Sequence, residues 1–198
     1  PYLLRYSKNT MQEQALCTEP LPVGRWERLH TGEMTVISYG DFVGEAEEAR
    51  RLLELGGIAM GLVNARFLKP FDTEMMDALL SEGKPLLIYE EVAAIGGLGS
   101  LLQQYAAERD SKTPVHVLAL PDRWIYHGKR RELLRRMDLD AAGLRAPVLE
   151  SLLDAIQLHL DRRAGEAFRV GAVLFSNQHG PLGATQTAKE LLEQWNNA

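Results

Sequence analysis

The sequence predicts an α/β fold: a three-layer, mostly parallel, doubly wound sheet of about five strands, followed by a C-terminal α/β appendix. Two observations carry this. Short apolar runs at 34–39 (MTVISY), 58–63 (IAMGLV), 86–89 (LLIY) and 115–120 (VHVLAL) have the length and composition of strands buried on both faces. Between them, residues 43–55, 72–83 and 100–109 carry apolar side chains at helical spacing. Strand, helix and strand recur within about 30 residues, the span of a right-handed βαβ unit.

Residues 1–20 read as the end of a preceding domain and a linker. PYLLRY (1–6) has the composition of a single strand, and the stretch 7–22 is polar with two prolines. A chain that starts mid-strand without a start signal has the look of the cut edge of something larger. The main domain spans 21–146. Its first helix gathers Val43, Ala46, Ala49, Leu52 and Leu53 on one face and ends at Gly56-Gly57. Asp72 stands at the N-cap of the second helix, with Phe71 placed for a hydrophobic staple and Gly83 at the end. The strand at 86–89 runs into Glu90-Glu91, and Gly96-Gly97-Leu98-Gly99-Ser100 then opens the third helix. In open α/β sheets, ligands and partner surfaces meet the chain beyond the carboxyl ends of the strands. The stretch 86–100 is therefore the one the rest is organised around. After 115–120 comes the loop PDRWIYHG (121–128), dense in groups that suit a partner, then a helix at 130–137 and a short turn at 139–144. Residues 147–198 read as a separate helix–strand–helix appendix (148–160, 168–175, 184–195). Whether it adds an edge strand to the sheet or packs elsewhere is open at this level.

Composition narrows the function classes. Of the 198 residues, 45% are hydrophobic and 25% charged, as in a soluble globular protein with a sizeable core. A net charge of −5 argues against non-specific nucleic-acid binding, which needs a concentrated basic face. The basic cluster Lys129-Arg130-Arg131 with Arg135-Arg136 reads as a solvated helix face. The single cysteine, Cys17, excludes an intramolecular disulfide and a Cys-x-x-Cys motif and fits a reducing cytoplasm. No apolar run approaches the ~18 residues of a membrane span, and the N-terminus has no signal-peptide pattern.

Tests for chemistry mostly fail. Counting from Gly97, the third glycine of a dinucleotide-binding turn would fall at Leu102, and no Lys-Ser or Lys-Thr pair makes the turn a P-loop. The turn reads instead as a tight strand-to-helix connection whose glycines let a neighbouring domain's backbone come close. Glu90 and Glu91 are adjacent on a strand and so point to opposite faces, which disfavours a paired-carboxylate mechanism. The five histidines lack metal-ligand spacing. His127, beside Trp124 and Tyr126, is the most site-like of them, and an interface role suits it better than a chemical one. No Gly-x-Ser-x-Gly elbow is present, and Cys17 has no visible partner. Gly40-Asp41-Phe42 with Asn64 does not complete the Gly-Asp-Gly…Asn element that binds magnesium and thiamine diphosphate, because the third glycine is missing and Asn64 is too near.

Six stretches carry a resemblance: Arg5-Tyr6, Leu21-Pro22-Val23-Gly24, the run NARFLKPFD at 64–72, Glu90-Glu91…Gly96-Gly97-Leu98-Gly99-Ser100, the run LPDRWIYHG at 120–128, and LDAAGL at 139–144. In order and spacing they resemble the C-terminal domain of the 1-deoxy-D-xylulose-5-phosphate synthases of the transketolase family, over roughly residues 1–145. The glycine-loop and ARF-x-KP elements are shared with other transketolase relatives, including beta subunits of 2-oxoacid dehydrogenases. The LPD-x-x-I-x-HG loop and the LDAAG ending are more specific to the synthases.

The resemblance implies a thiamine-diphosphate- and magnesium-dependent transferase that condenses pyruvate with glyceraldehyde 3-phosphate, feeding isoprenoid, thiamine and pyridoxal phosphate synthesis. In that family two preceding domains hold the cofactor, so this chain is expected to carry none and to be inert alone. It would supply packing, dimer architecture and a wall near the active site. After Arg-Tyr the synthases usually have Pro-Arg-Gly, whose arginine helps bind the substrate phosphate; Lys8 stands in its place here and lacks the bidentate fork. Glu90, Glu91, Gly97, Gly99, Asp122, Arg123, Trp124 and His127 are the candidate residues at a domain interface. The expected partners are the preceding domains and a second copy of the chain, with no nucleic acid and no membrane. A third reading, of a different class, is a non-catalytic assembly or regulatory domain that uses the glycine-loop edge as its interface. An exposed apolar patch around Leu98, Trp124 and Tyr126 would suit a missing partner domain as well as this third reading.

Overall fold

The computed structural model describes residues 3–4 and 20–163, with the side chains of the last helix described through Asp154. Lys8, Cys17 and the predicted elements at 168–175 and 184–195 lie outside the described residues. Leu3 and Leu4, within the predicted strand at 1–6, have no regular structure.

Five strands, β1 (Glu27–His30), β2 (Met34–Ser38), β3 (Met60–Asn64), β4 (Leu86–Ala93) and β5 (Val115–Leu120), form one sheet in the order β1-β3-β2-β4-β5. The last four are mutually parallel, and β1 alone runs antiparallel, pairing Glu27 with Asn64 and Arg28 with Val63. The helices are α1 (Phe42–Leu55), α2 (Thr73–Glu82), α3 (Leu98–Ala107), α4 (Arg130–Arg136) and α5 (Ala141–Arg163).

Two apolar layers sandwich the sheet, as the continuous apolar strands require. On one face, Phe42, Ala46, Ala49 and Leu53 of α1 and Leu144, Val148 and Leu152 of α5 pack on Val36, Leu62, Leu87 and Tyr89. On the other, Met76 and Leu79 of α2 and Leu98, Leu102 and Tyr105 of α3 pack on Ile37, Val63, Leu86 and Ile88. Phe42 stacks on Tyr89 with ring centroids 4.2 Å apart, and the Tyr89 hydroxyl donates to the Leu139 carbonyl, fixing the α4–α5 corner to β4.

The predicted boundary at 146/147 falls inside one continuous helix, α5, and Val148, Leu149 and Leu152 belong to the same core as α1. Pro147 forfeits a backbone hydrogen bond, a cost of about 3 kcal/mol in a helix interior. Burying those apolar side chains, at about 1.5–3 kcal/mol each, outweighs it. The edge strand β1 is the element that periodicity did not predict.

Candidate functional site

The strand order places a topological switch point between β2 and β4. From β2 the chain crosses to β3 on one side, then returns over β2 to β4 on the other. At the carboxyl ends of those two strands an open cleft of about 560 Å³ is lined by Tyr39, Leu68, Val92, Ile95, Leu98 and Leu101 among others. This is where open α/β sheets bind ligands.

Two of the cleft's lining residues, Tyr39 and Leu98, bond to a carboxylate buried behind them. Glu90, the fifth residue of β4, is fully enclosed. Its Oε2 accepts from the Leu98 N–H at 2.8 Å and from the Tyr39 hydroxyl at 3.0 Å, and its Oε1 accepts from the Gly99 N–H at 2.9 Å. Free N–H groups at a helix N-terminus attract an anion, and here the protein's own side chain supplies it. The glycines follow from that occupancy. A Cβ on Gly97 would lie 2.4 Å from Glu90 Oε1, and one on Gly99 would lie 2.6 Å from both Val117 methyls and 3.0 Å from Glu90 Oε1. Gly97 thus makes room for the chain's own carboxylate, and Gly99 for the Val117 side chain as well as that carboxylate. Burial, and then the adjacent Glu90 charge, push the Tyr39 phenol well above its ordinary value, so its proton stays available to the carboxylate.

Glu91 points the other way, as strand alternation requires. Its two oxygens take Nε and Nη2 of Arg130 at 2.7 and 2.6 Å, tying the carboxyl end of β4 to the start of α4. The loop after β5 leaves the sheet at the same edge. Asp122, Arg123, Trp124 and His127 all stand in solvent there, Trp124 with 97% of its surface exposed. Leu98, expected in an exposed apolar patch with Trp124 and Tyr126, is buried; Val92 and Ile95 are exposed instead, Ile95 at 79%.

A second carboxylate organises the neighbouring rim. Asp72 caps α2 by accepting from the Met75 N–H at 3.0 Å, as predicted, and its other oxygen accepts from the Trp26 N–H at 2.9 Å. Arg25 reaches it at 3.3 Å. Burial alone would push the Asp72 carboxyl up; the two amides and the guanidinium outweigh it and hold the group below the usual carboxylate range. Trp26 Nε1 donates to the Phe67 carbonyl at 2.8 Å, and Phe71 meets Tyr105 edge-on at 4.9 Å. These contacts fix the loop 65–72, and with it Leu68, against the start of β1. Neither Trp26 nor its bond to Asp72 was singled out from the sequence; a lone tryptophan beside a predicted cap, 46 residues away, carries no local signal.

The described residues do not fit a thiamine diphosphate or magnesium site. They contain no group of three His, Cys, Asp or Glu side chains able to hold a metal ion, and the one helix N-terminus facing the cleft is filled by Glu90. No described helix is long and apolar enough to cross a membrane.

Together these features define a doubly wound α/β domain in which the helix N-terminus at the switch point is occupied by the chain's own carboxylate. Residues 24–144 match the family model for the transketolase C-terminal domain, and the chain belongs to that family. It is 40% identical over 124 residues to a 1-deoxy-D-xylulose-5-phosphate synthase of Bacillus velezensis, covering 62% of this chain and 20% of the relative. It is 41% identical over 127 residues to the synthase of that name from Chlorobium luteolum, covering 64% and 20%. The chain thus spans about a fifth of the length of these curated relatives. Among solved structures it resembles one described as a split-gene transketolase, an inactive beta4 tetramer, with a TM-score of 0.58, 28% identity, and coverage of 67% of this chain and 44% of that one.

Proposed function

We propose that this chain is the C-terminal domain of a thiamine-diphosphate-dependent 1-deoxy-D-xylulose-5-phosphate synthase, a cytoplasmic homodimer that condenses pyruvate with glyceraldehyde 3-phosphate and releases carbon dioxide. The observation that carries the reading is the identity of 40% to a synthase of that name across the domain. In this reading the cofactor and magnesium sit in the domains this one joins, and the present residues hold and orient those domains without touching the reacting atoms. Lys8 remains the candidate for the substrate phosphate. The α3 N-terminus, already occupied by Glu90, supports a chain that is inert alone, and so does the inactive state named for the split-gene relative.

The test is a turnover assay with pyruvate, glyceraldehyde 3-phosphate, thiamine diphosphate and magnesium. The purified chain is expected to give no product and no heat of cofactor binding. Adding the Bacillus velezensis synthase lacking its own matching 124 residues is expected to give product. Cofactor binding by the chain alone overturns its inertness. A failure to complement, with the added polypeptide itself binding cofactor, favours the second reading, a non-catalytic assembly domain.

A further inference from the structure

The cleft at the switch point has a rim unlike the rest of the domain. Leu68, Val92, Ile95 and Leu101 are large apolar side chains left exposed around it, and no charged residue lines it. Its polar side chains are already engaged. The Tyr39 hydroxyl is on Glu90, Ser100 Oγ bridges the Gly97 carbonyl and the Gly96 N–H, and Gln104 Nε2 is on Glu108. The anion position at the α3 N-terminus is taken by Glu90. Apolar surface bounded by satisfied polar groups suits a polypeptide face.

The turn that carries Val92 and Ile95 is held at both ends, by the β4 backbone and by the Glu90 clamp on α3, so binding immobilises little that is not already fixed. The direction of β1 says which polypeptide meets the rim. Because β1 is antiparallel, its first residue, Glu27, lies beside Asn64 at the carboxyl end of β3. Arg25 and Trp26, bonded to Asp72 and Phe67, stand at the same edge as the cleft. The chain therefore enters β1 at the cleft's own edge.

We propose that the apolar rim formed by Leu68, Val92, Ile95 and Leu101 is the docking face for the cofactor-binding polypeptide that precedes this domain, with Glu90 as the residue that presets it. The proposal rests on the synthase reading and adds the surface through which the domain is used.

The experiment uses the full chain and two surface variants, titrated against the Bacillus velezensis synthase lacking its matching segment, whose fold is checked by its binding of thiamine diphosphate with magnesium. Ile95→Asp places a charge on the rim. Leu55→Asp places one at the C-terminal end of α1, where Leu55 is equally exposed but lies at the opposite edge of the sheet. Ile95→Asp is expected to weaken association, read by turnover and by sedimentation, by roughly tenfold or more, with its melting midpoint unchanged; Leu55→Asp is expected to leave both alone. If the unaltered chain complements and Ile95→Asp complements equally well, the docking face is wrong and the synthase reading stands. If the unaltered chain fails to bind, the synthase reading fails and the docking face falls with it. If the chain instead pairs with itself and Ile95→Asp abolishes that pairing, the occupant is a second copy and the proposal is overturned.

Discussion

Two helices on the same face of the sheet begin at a carboxylate, by different routes. At α2 the anion is Asp72, the residue immediately before the helix, bonded three residues ahead to Met75. At α3 it is Glu90, on β4, reaching Leu98 and Gly99 across the strand-to-helix turn. The first has a local cap bond, to Met75, that needs no other part of the fold, with Trp26 and Arg25 added from just before β1. The second exists only once β4, the turn and α3 have their native placement, and it needs two glycines to make room. Both serve the helix dipole; only one stands at the helix end beside the cleft.

That contrast orders the consequences of breaking each. Glu90→Ala leaves two buried N–H groups and the Tyr39 hydroxyl without their acceptor. At about 1–3 kcal/mol per stranded group, the expected loss is about 3–5 kcal/mol, read as a fall in the urea midpoint with an unchanged slope. Gly97→Ala, which drives a methyl into the carboxylate, is expected to cost about 2–3 kcal/mol. In a Glu90→Ala background the same substitution should cost little, because the atoms it strikes are gone; full additivity would show that Glu90 is not what the glycine accommodates.

Asp72→Ala should cost about 1–2 kcal/mol, the range of a lost N-cap. Its carboxyl is depressed in the folded state, so its contribution is fully present above the ordinary carboxylate value and is lost as pH falls through the lower folded one. Asp72→Asn should remove that part of the acid-side loss, seen as a smaller difference from the parent at acid pH than at neutral pH. Glu91→Ala, which breaks a part-exposed pair with Arg130, should cost under about 1 kcal/mol and weaken with salt. Neighbours in sequence, Glu90 and Glu91 thus differ several-fold in what they hold.

The same distinction accounts for what could be read in advance. The parallel strands and helices α1 to α4 declare themselves through local periodicity, and Asp72 and Gly83 through the chemistry of helix ends. The opposite faces of Glu90 and Glu91 follow from strand alternation. What stayed hidden was non-local. β1 is the polar tetrapeptide Glu27-Arg28-Leu29-His30, made a strand only by its pairing with β3. The expected boundary falls at Pro147, yet the apolar residues on either side pull α5 through it into a core built by α1 and the sheet. The three donors on Glu90 come from Tyr39, Leu98 and Gly99, and nothing in a linear spacing of 8, 9 and 51 residues announces them.

The reversed edge strand has a last consequence. By delivering the incoming chain to the carboxyl edge, β1 turns any contact between the rim and a covalently joined N-terminal polypeptide into an intramolecular event. Over a short flexible connection the local concentration of such a partner is on the order of millimolar. An interface of modest intrinsic strength then stays closed while joined, and the same surfaces supplied as separate molecules meet far less often.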